Sequence, residues 1–443
     1  MRIFHFLFAC VICLVLTLST PSDGANATEW YKGQLHCHSL WSDGDTLPEL
    51  VYDWYRSKGF HFVALTDHSE LQTDPDKWIE VVRNRDRFAS PDQIKESRSK
   101  FGNDWVETKE EEEKTFVRLK TVTELAQKLN EAGKFLVIPG HEQNDAIPLK
   151  NTKYFGKMLH TNAINITETI PFPTNFPSIA AAATAWRNAS LENSAKSGLE
   201  GFWMLNHPFW PYYTITPTVF IDVPEIEFLE YNFGGPTSPL DPRVYDQEKY
   251  WDIVNAFRIL NGHKPVFQTA SDDAHNYRAH NFKDGKVNPG RGWVVVRSEK
   301  LEANALIAAM KKGDFYASNG VVLKDIRFDT ASKTLFVDIQ PEEGVKYSVR
   351  FVGTKKGFST ETTELDVQSE DGKSKRTVLM YSDEIGATFK VAEGVSVSYK
   401  MAPEDLYVRA IVTSDKKWER TKPRANVPFG PENETAWTQP YCP

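Results

Sequence analysis

The chain has 443 residues and a formal net charge of −8, a balance that argues against broad electrostatic capture of nucleic acid. Its 12 Trp, 16 Tyr and 27 Phe suit well-packed cores, and the length allows one large domain plus a smaller one. With only 4 Cys, a disulfide scaffold is excluded.

At the N-terminus, Arg2 precedes an apolar run from Ile3 to Leu18, and Ala25 and Ala27 supply a small-x-small pattern. This predicts a secretory signal peptide over residues 1–27, with a retained anchor as the alternative. No later run is apolar for long enough to span a bilayer, so the mature chain is expected to be secreted or periplasmic. Cys10 and Cys13 leave with the signal, and Cys37 and Cys442 remain.

From residue 33 onward short apolar runs alternate with longer helical patterns. Strands are predicted at Gln34–His38, His61–Thr66, Lys134–Pro139, Lys157–Ala163, Leu199–Leu205, Glu225–Tyr231 and Pro265–Ala270. Helices are predicted at Leu47–Lys58, Val106–Ala132, Ile179–Ala195 and Gln247–Asn261. Such alternation predicts βα units around a largely parallel sheet, an incomplete or distorted barrel. Trp293–Val296 and Leu301–Lys312 read as a closing strand and helix. After Ser318 the pattern turns to period-two alternation, in "LKDIRFD", "TLFVDIQ" and "LYVRAIVTS", which predicts a β-sandwich. The boundary is placed at Asn319–Gly320, giving domains of residues 28–319 and 320–443. The run "EEEEK" at 110–114 reads as a solvated helix face.

Side chains two apart on a strand share a face, so His36 and His38 in "HCHS" can grip one ion while Cys37 turns into the core. Nearly every later strand closes on another donor: Asp67 and His68 in "TDHS", Glu142 in "GHEQ", His160 in "MLHT", His207 in "LNHP", and Asp273 and His275 in "SDDAH". Strand ends that converge on one barrel mouth would gather these donors into a site for zinc, manganese or iron. Asp43 follows the first pair, and Asp67 is a helper that orients a ligand or moves a proton.

The order HxHS, an Asp shortly after, TDH, GxE, isolated histidines and a final SDxH-like motif resembles the PHP (polymerase and histidinol phosphatase) superfamily. "KKGDFYASNGVVLKDIRFD", "YVRAIVTSD" and "AWTQP" resemble its secreted CehA/McbA-like branch. The resemblance implies a distorted (β/α)7 barrel of PHP type followed by a small all-β sandwich domain, with two or three divalent metal ions. His36, His38, Glu142 and Asp273 would hold the first metal; Asp43, His68 and His275 the second; Glu142, His160 and His207 the third, with Glu142 bridging. Asp272 is the alternative to Asp273.

The chemistry expected of such a centre is hydrolysis of a small organic phosphate or nucleotide by metal-activated water, with Asp67 and His68 as catalytic candidates. Nothing resembling a Ser-His-Asp elbow or a P-loop competes. Hydrolysis of carboxyl ester, carbamate or lactone bonds is the second hypothesis, and a non-catalytic secreted glycan-binding protein the third. "HPFWPYY" at 207–213 is either a ring-stacking surface or a hydrophobic wall. Arg278 and Arg291 are either phosphate binders or surface arginines, Glu230 and Asn232 can support ligands, and residues 69–133, with "RNRDR", can cover the mouth.

Overall fold

The computed structural model describes residues 28–83, 85–146, 158–171, 176–208, 215–235, 243–368, 375–422 and 429–443. The signal-peptide segment and residues 209–213 of the aromatic stretch lie outside these. Among the described residues no helix is long and apolar enough to cross a membrane.

The first part of the chain supplies β1 (Glu29–Gln34), α1 (Pro48–Ser57), β2 (Phe62–Leu65), β3 (Trp78–Glu80), α2 (Pro91–Phe101), β4 (Thr108–Glu111), β5 (Lys114–Arg118) and α3 (Val122–Leu129). Next come β6 (Leu136–Ala146), β7 (Met158–Ile164), α4 (Ile179–Lys196), β8 (Phe202–Leu205), α5 (Pro217–Asp222), β9 (Phe228–Asn232), α6 (Gln247–Leu260) and β10 (Phe267–Ser271). Then β11 (Trp293–Ser298), α7 (Ala303–Met310) and β12 (Phe315–Ser318) lead into strands alone: β13 (Leu323–Asp329), β14 (Thr334–Ile339), β15 (Tyr347–Lys355), β16 (Thr363–Gln368), β17 (Lys375–Met380), β18 (Ala387–Glu393), β19 (Ser396–Lys400), β20 (Asp405–Lys417) and β21 (Asn433–Thr438).

Local chemistry sets these boundaries. Pro91 opens α2 behind Ser90, whose hydroxyl accepts the Gln93 N–H, and Asp246 and Ser178 cap α6 and α4 in the same way. Thr121 and Glu124 form a reciprocal capping box at α3, a cap that contributes about 1 kcal/mol.

The main sheet runs β10-β9-β8-β7-β6-β2-β1-β11-β12-β21-β20-β15-β18. β1, β2 and β6 are mutually parallel, as are β8, β9 and β10, but β7 runs antiparallel to both β6 and β8. The sheet is therefore mixed where a largely parallel one was expected. Its ladder is open between β10 and β1. The segments just beyond those strands meet in a single parallel bridge, Cys37 with Ala274, made by His38 N–H to the Ala274 carbonyl (2.9 Å) and Asp273 N–H to the His36 carbonyl (3.0 Å).

The helix expected over Val106–Ala132 is absent. β4 and β5 form a hairpin there, turning at Glu112 and Glu113 with φ of 48° and 59°, and only α3 is helical. The acidic run would set like charges against one another on a helix, while Thr115, Phe116 and Val117 fit a pleated surface. β3, β5 and β4 make a separate sheet. Its Val117 packs with Ile94 and Val106 against Trp41, Leu47 and Leu50.

Beyond β12 two layers face each other: Ile326, Leu335 and Val337 from β13 and β14 pack on Val349, Phe351, Val408 and Ala410 from β15 and β20. The β15 and β20 layer is continuous with the rest of the main sheet through the β12–β21 ladder, and the expected boundary at Asn319–Gly320 falls in the turn between β12 and β13. A second tie is the buried Asp252 of α6, which receives Arg409 Nε at 2.8 Å, Arg409 Nη2 at 2.6 Å and the Tyr407 hydroxyl at 2.7 Å.

Candidate metal centre

The chain leaving β1 stays extended between two neighbours, with Thr66 N–H bonded to the Cys37 carbonyl on one side and Ala274 on the other. Alternation then turns His36 and His38 to one face and packs Cys37, fully buried, against Ala64 on the other. A tight turn follows. Gly44 N–H reaches the Ser39 carbonyl at 2.9 Å, and a Cβ on Gly44 would lie 2.8 Å from the Ser39 backbone, so the approach requires glycine. This turn carries Asp43 and is pinned by Asp45, which accepts from Tyr277 N–H (2.9 Å) and Asn281 Nδ2 (2.8 Å).

Glu142 sits at the centre. Its Oε2 lies 2.8 Å from His68 Nδ1, 3.4 Å from His36 Nε2 and 3.5 Å from His38 Nε2. Its Oε1 lies 2.9 Å from His160 Nδ1 and 3.3 Å from His207 Nε2, and accepts from Asn206 Nδ2 at 2.9 Å. Asp273 Oδ1 is 3.1 Å from His38 Nε2 and 3.3 Å from His36 Nε2. Asp43 Oδ1 is 3.1 Å from His275 Nε2 and 3.5 Å from His68 Nε2. All nine predicted ligands are thus in one cluster. Three groups within it have donor atoms mutually within 4.8 Å: His38, Asp43, His68 and His275; His36, Glu142 and His207; and His36, His38 and Asp273.

His160 arrives by a route unlike the predicted one. It lies near the start of β7, and because β7 is antiparallel its beginning lies where the neighbouring strands end. Two donors stand on left-handed backbone, His207 with φ of 24° and Asp273 with φ of 51°. Such conformations persist where the surroundings over-determine them, and they cluster at functional sites. Gly234 backs Asp273 so closely that an added Cβ would lie 2.8 Å from the Asp273 Cβ.

Hydrogen bonds distinguish the adjacent aspartates. Asp272 is fully buried and receives Gly290, Arg291 and Gly292 N–H at 2.7, 2.6 and 2.8 Å and the Tyr55 hydroxyl at 2.9 Å. Its oxygens hold a loop, while Asp273 faces the imidazoles. Asp67 is engaged likewise by Ser39 N–H (2.7 Å), the Ser39 and Ser42 hydroxyls (2.8 Å each) and Gln72 Nε2 (3.0 Å). Those four donors fix the turn that bears Asp43. Arg278 is half-buried and Arg291 fully buried, so the surface reading fails for Arg291. Arg278 donates to the Arg85 and Phe88 carbonyls, and Arg291, 0% exposed, to those of Phe233 and Lys286 and to the Thr421 hydroxyl.

Electrostatics follow from this packing. Burial pulls the His36 imidazole down, but the carboxylates of Glu230, Asp273 and Glu142 outweigh it and raise its pKa well above the ordinary value. Burial likewise pushes Glu142 up, and the His36, His68 and His160 rings more than reverse it, holding the carboxyl well below the usual range. His275 is lifted to about 9 against its burial, chiefly by Asp43. His38, buried beside the His275 and His68 rings, falls to about 3.

These residues fit metal ions. His36 Nδ1 lies 2.6 Å from Glu230 Oε1, and a neutral ring donating there turns the Nε2 lone pair toward Glu142 and Asp273. His275 Nδ1 donates to the Asp273 carbonyl at 2.7 Å, leaving Nε2 toward Asp43. Buried His36 Nε2, His68 Nδ1, Glu142 Oε2 and Asp43 Oδ1 have no hydrogen bond, although each faces this cluster. Imidazole and carboxylate donors together suit zinc, manganese or iron.

The helpers were only partly visible in the sequence. Glu230 accepts from His36, from His207 N–H (2.8 Å), from Asn232 Nδ2 (3.1 Å) and from the Ser271 hydroxyl. Asn206, unrecognised despite standing next to His207, and Asp45 complete the support.

The fold and site thus define a mixed α/β protein with a cluster able to hold several metal ions. No family model matches the chain, and no curated protein does. Among solved structures it is similar to a two-domain protein from Bacteroides vulgatus that contains a predicted PHP-like metal-dependent phosphoesterase. The two are 12% identical, with 94% of this chain and 96% of that one covered at a TM-score of 0.36. A protein from Bifidobacterium adolescentis, inferred to be a metal-dependent phosphoesterase, is 13% identical, covering 55% of this chain and 87% of that one at a TM-score of 0.28. At such values neither likeness bears on function, and the site stands on its own geometry.

Proposed function

We propose that the protein is an exported metal-dependent phosphoesterase that hydrolyses a small organic phosphate or nucleotide. The observation that carries this is one buried carboxylate, Glu142, whose two oxygens face the rings of His36, His38, His68, His160 and His207. On this reading His36, His38, Glu142 and Asp273 hold one ion, Asp43, His68 and His275 a second, and His160 and His207 a third with Glu142 shared. Bound ions would draw charge from the phosphoryl oxygens and bring a water's pKa toward about 7. The chain's own work is placement. Glu230 sets the His36 ring, Asp67 holds the turn of Asp43, and the Asp273 carbonyl sets the His275 ring. The Cys37–Ala274 bridge supports reading the seven strands β1, β2 and β6 to β10 as a distorted barrel closed at that point, and the N-terminal apolar run supports export.

Metal content of the mature chain, purified without chelator, tests the proposal together with release from an aryl phosphate and an aryl carboxyl ester. Two or three ions per chain with phosphate release is the expected result. Turnover of the carboxyl ester alone would replace the phosphoesterase reading with the ester hydrolase one, and absence of metal after refilling would favour a non-catalytic binding protein.

A further inference from the structure

The donors around Glu142 differ in exposure, and the difference marks the side of entry. His36, His38, Glu142, Asp273 and His207 are buried, whereas Asp43, His68 and His275 keep 24%, 23% and 20% of their side-chain surface. A substrate therefore meets the cluster on the Asp43 side. There the loop between β3 and α2 presents Arg87, whose Nη2 lies 3.1 Å from Asp43 Oδ2 while 66% of its side chain stays exposed. We propose, resting on the phosphoesterase reading, that Arg87 is a substrate-binding residue that grips the anionic phosphoryl group and selects phosphoesters over uncharged esters.

The loop is built to hold Arg87 in place without using its side chain. Asp86 accepts from Asn281 Nδ2 at 3.0 Å and Lys286 Nζ at 2.7 Å, Arg278 binds the carbonyls of Arg85 and Phe88, and Val82 N–H reaches the Ala89 carbonyl at 2.7 Å. These contacts fix Arg87 at φ of 63°, a left-handed conformation that a non-glycine residue rarely adopts. A guanidinium has five donors in a fork that matches phosphate, and the Asp43 contact engages one end of it. Of its neighbours, Arg85 lies over the Phe88 ring at 4.1 Å, Arg278 donates to carbonyls, and Arg291 donates to carbonyls and the Thr421 hydroxyl. Arg87 is the arginine of this loop that contacts Asp43 while staying 66% exposed, and the uncharged group of a carboxyl ester offers it no matching charge.

Inorganic phosphate is the probe, titrated calorimetrically into the metal-loaded full chain, the Arg87→Ala variant and the Arg87→Lys variant, with metal content measured on each. Losing charge-assisted bonds of this kind weakens phosphate binding about 10- to 100-fold in Arg87→Ala, with Lys restoring part of it. Metal content stays at the wild-type level, and KM rises for an aryl phosphate but not for an aryl carboxyl ester. Unchanged phosphate affinity in Arg87→Ala overturns the inference alone. So does loss of metal from that variant, which would make Arg87 a positioning residue for Asp43. A wild-type chain without metal brings down the phosphoesterase reading, and this inference with it.

Discussion

Glu230 touches His36 on the side away from the cluster, and its neutral isostere removes the charge while keeping the volume. Glu230→Gln is expected to weaken metal binding about 10- to 100-fold, read by competition with a chromogenic chelator; equal affinity would remove Glu230 from the design. A pH dependence follows from His275 and His36. Both hold a proton more tightly than a free imidazole, His275 up to about 9, and a protonated ring cannot ligate. Metal affinity should therefore rise with pH up to about 9, about 10-fold per pH unit for each proton displaced, in the same competition assay at pH 6 and pH 8. A flat profile would mean that these rings do not ligate. Part of the cluster was legible because short motifs expose it: two histidines two apart, Asp before His, His two after Asp. The choice of Asp273 over Asp272 was open in the sequence, since the loop that occupies Asp272 comes from residues 290–292.

At the scale of elements, strand direction decides what reaches the centre. His160 was found as a donor from its residue type, but its place near the beginning of β7 depends on the antiparallel run of that strand, which local pattern does not reveal. The β4–β5 hairpin was missed for a related reason: its acidic turn carries the charge of a solvated helix, and only tertiary packing of Val117 on Trp41 and Leu47 settles the matter. Close approach of the segment after β9 to the segment after β10 gives a further prediction. Gly234→Ala would drive a methyl against the Asp272 carbonyl and the Asp273 Cβ, each 2.8 Å away. The expected cost is about 1–3 kcal/mol by urea unfolding, accompanied by loss of metal. Full metal content in a folded Gly234→Ala chain would show that Asp273 is not a required ligand.

Across the whole molecule, the strands beyond β12 brace the region of the site. Trp437 of β21 packs against Tyr231 in β9 and Phe233 just beyond it, and Trp418 meets Phe233 edge-on. The Asp252–Arg409 pair joins the two regions with both side chains almost fully buried. Breaking such a pair strands a charge, so Asp252→Ala should lower stability by about 3–5 kcal/mol in urea unfolding; an unchanged midpoint would show that the pair is not a structural tie.

The separate sheet of β3, β5 and β4 has a consequence for how such a protein can change over generations. Among the described residues it makes no ladder with the main sheet, yet the loop that follows β3 bears Arg87. On the proposed role of Arg87, insertions, deletions and drift there can retune which molecules are accepted while the candidate donors keep their places at and beyond the strand ends. Inheritance can thus hold the cluster constant and let its surroundings vary.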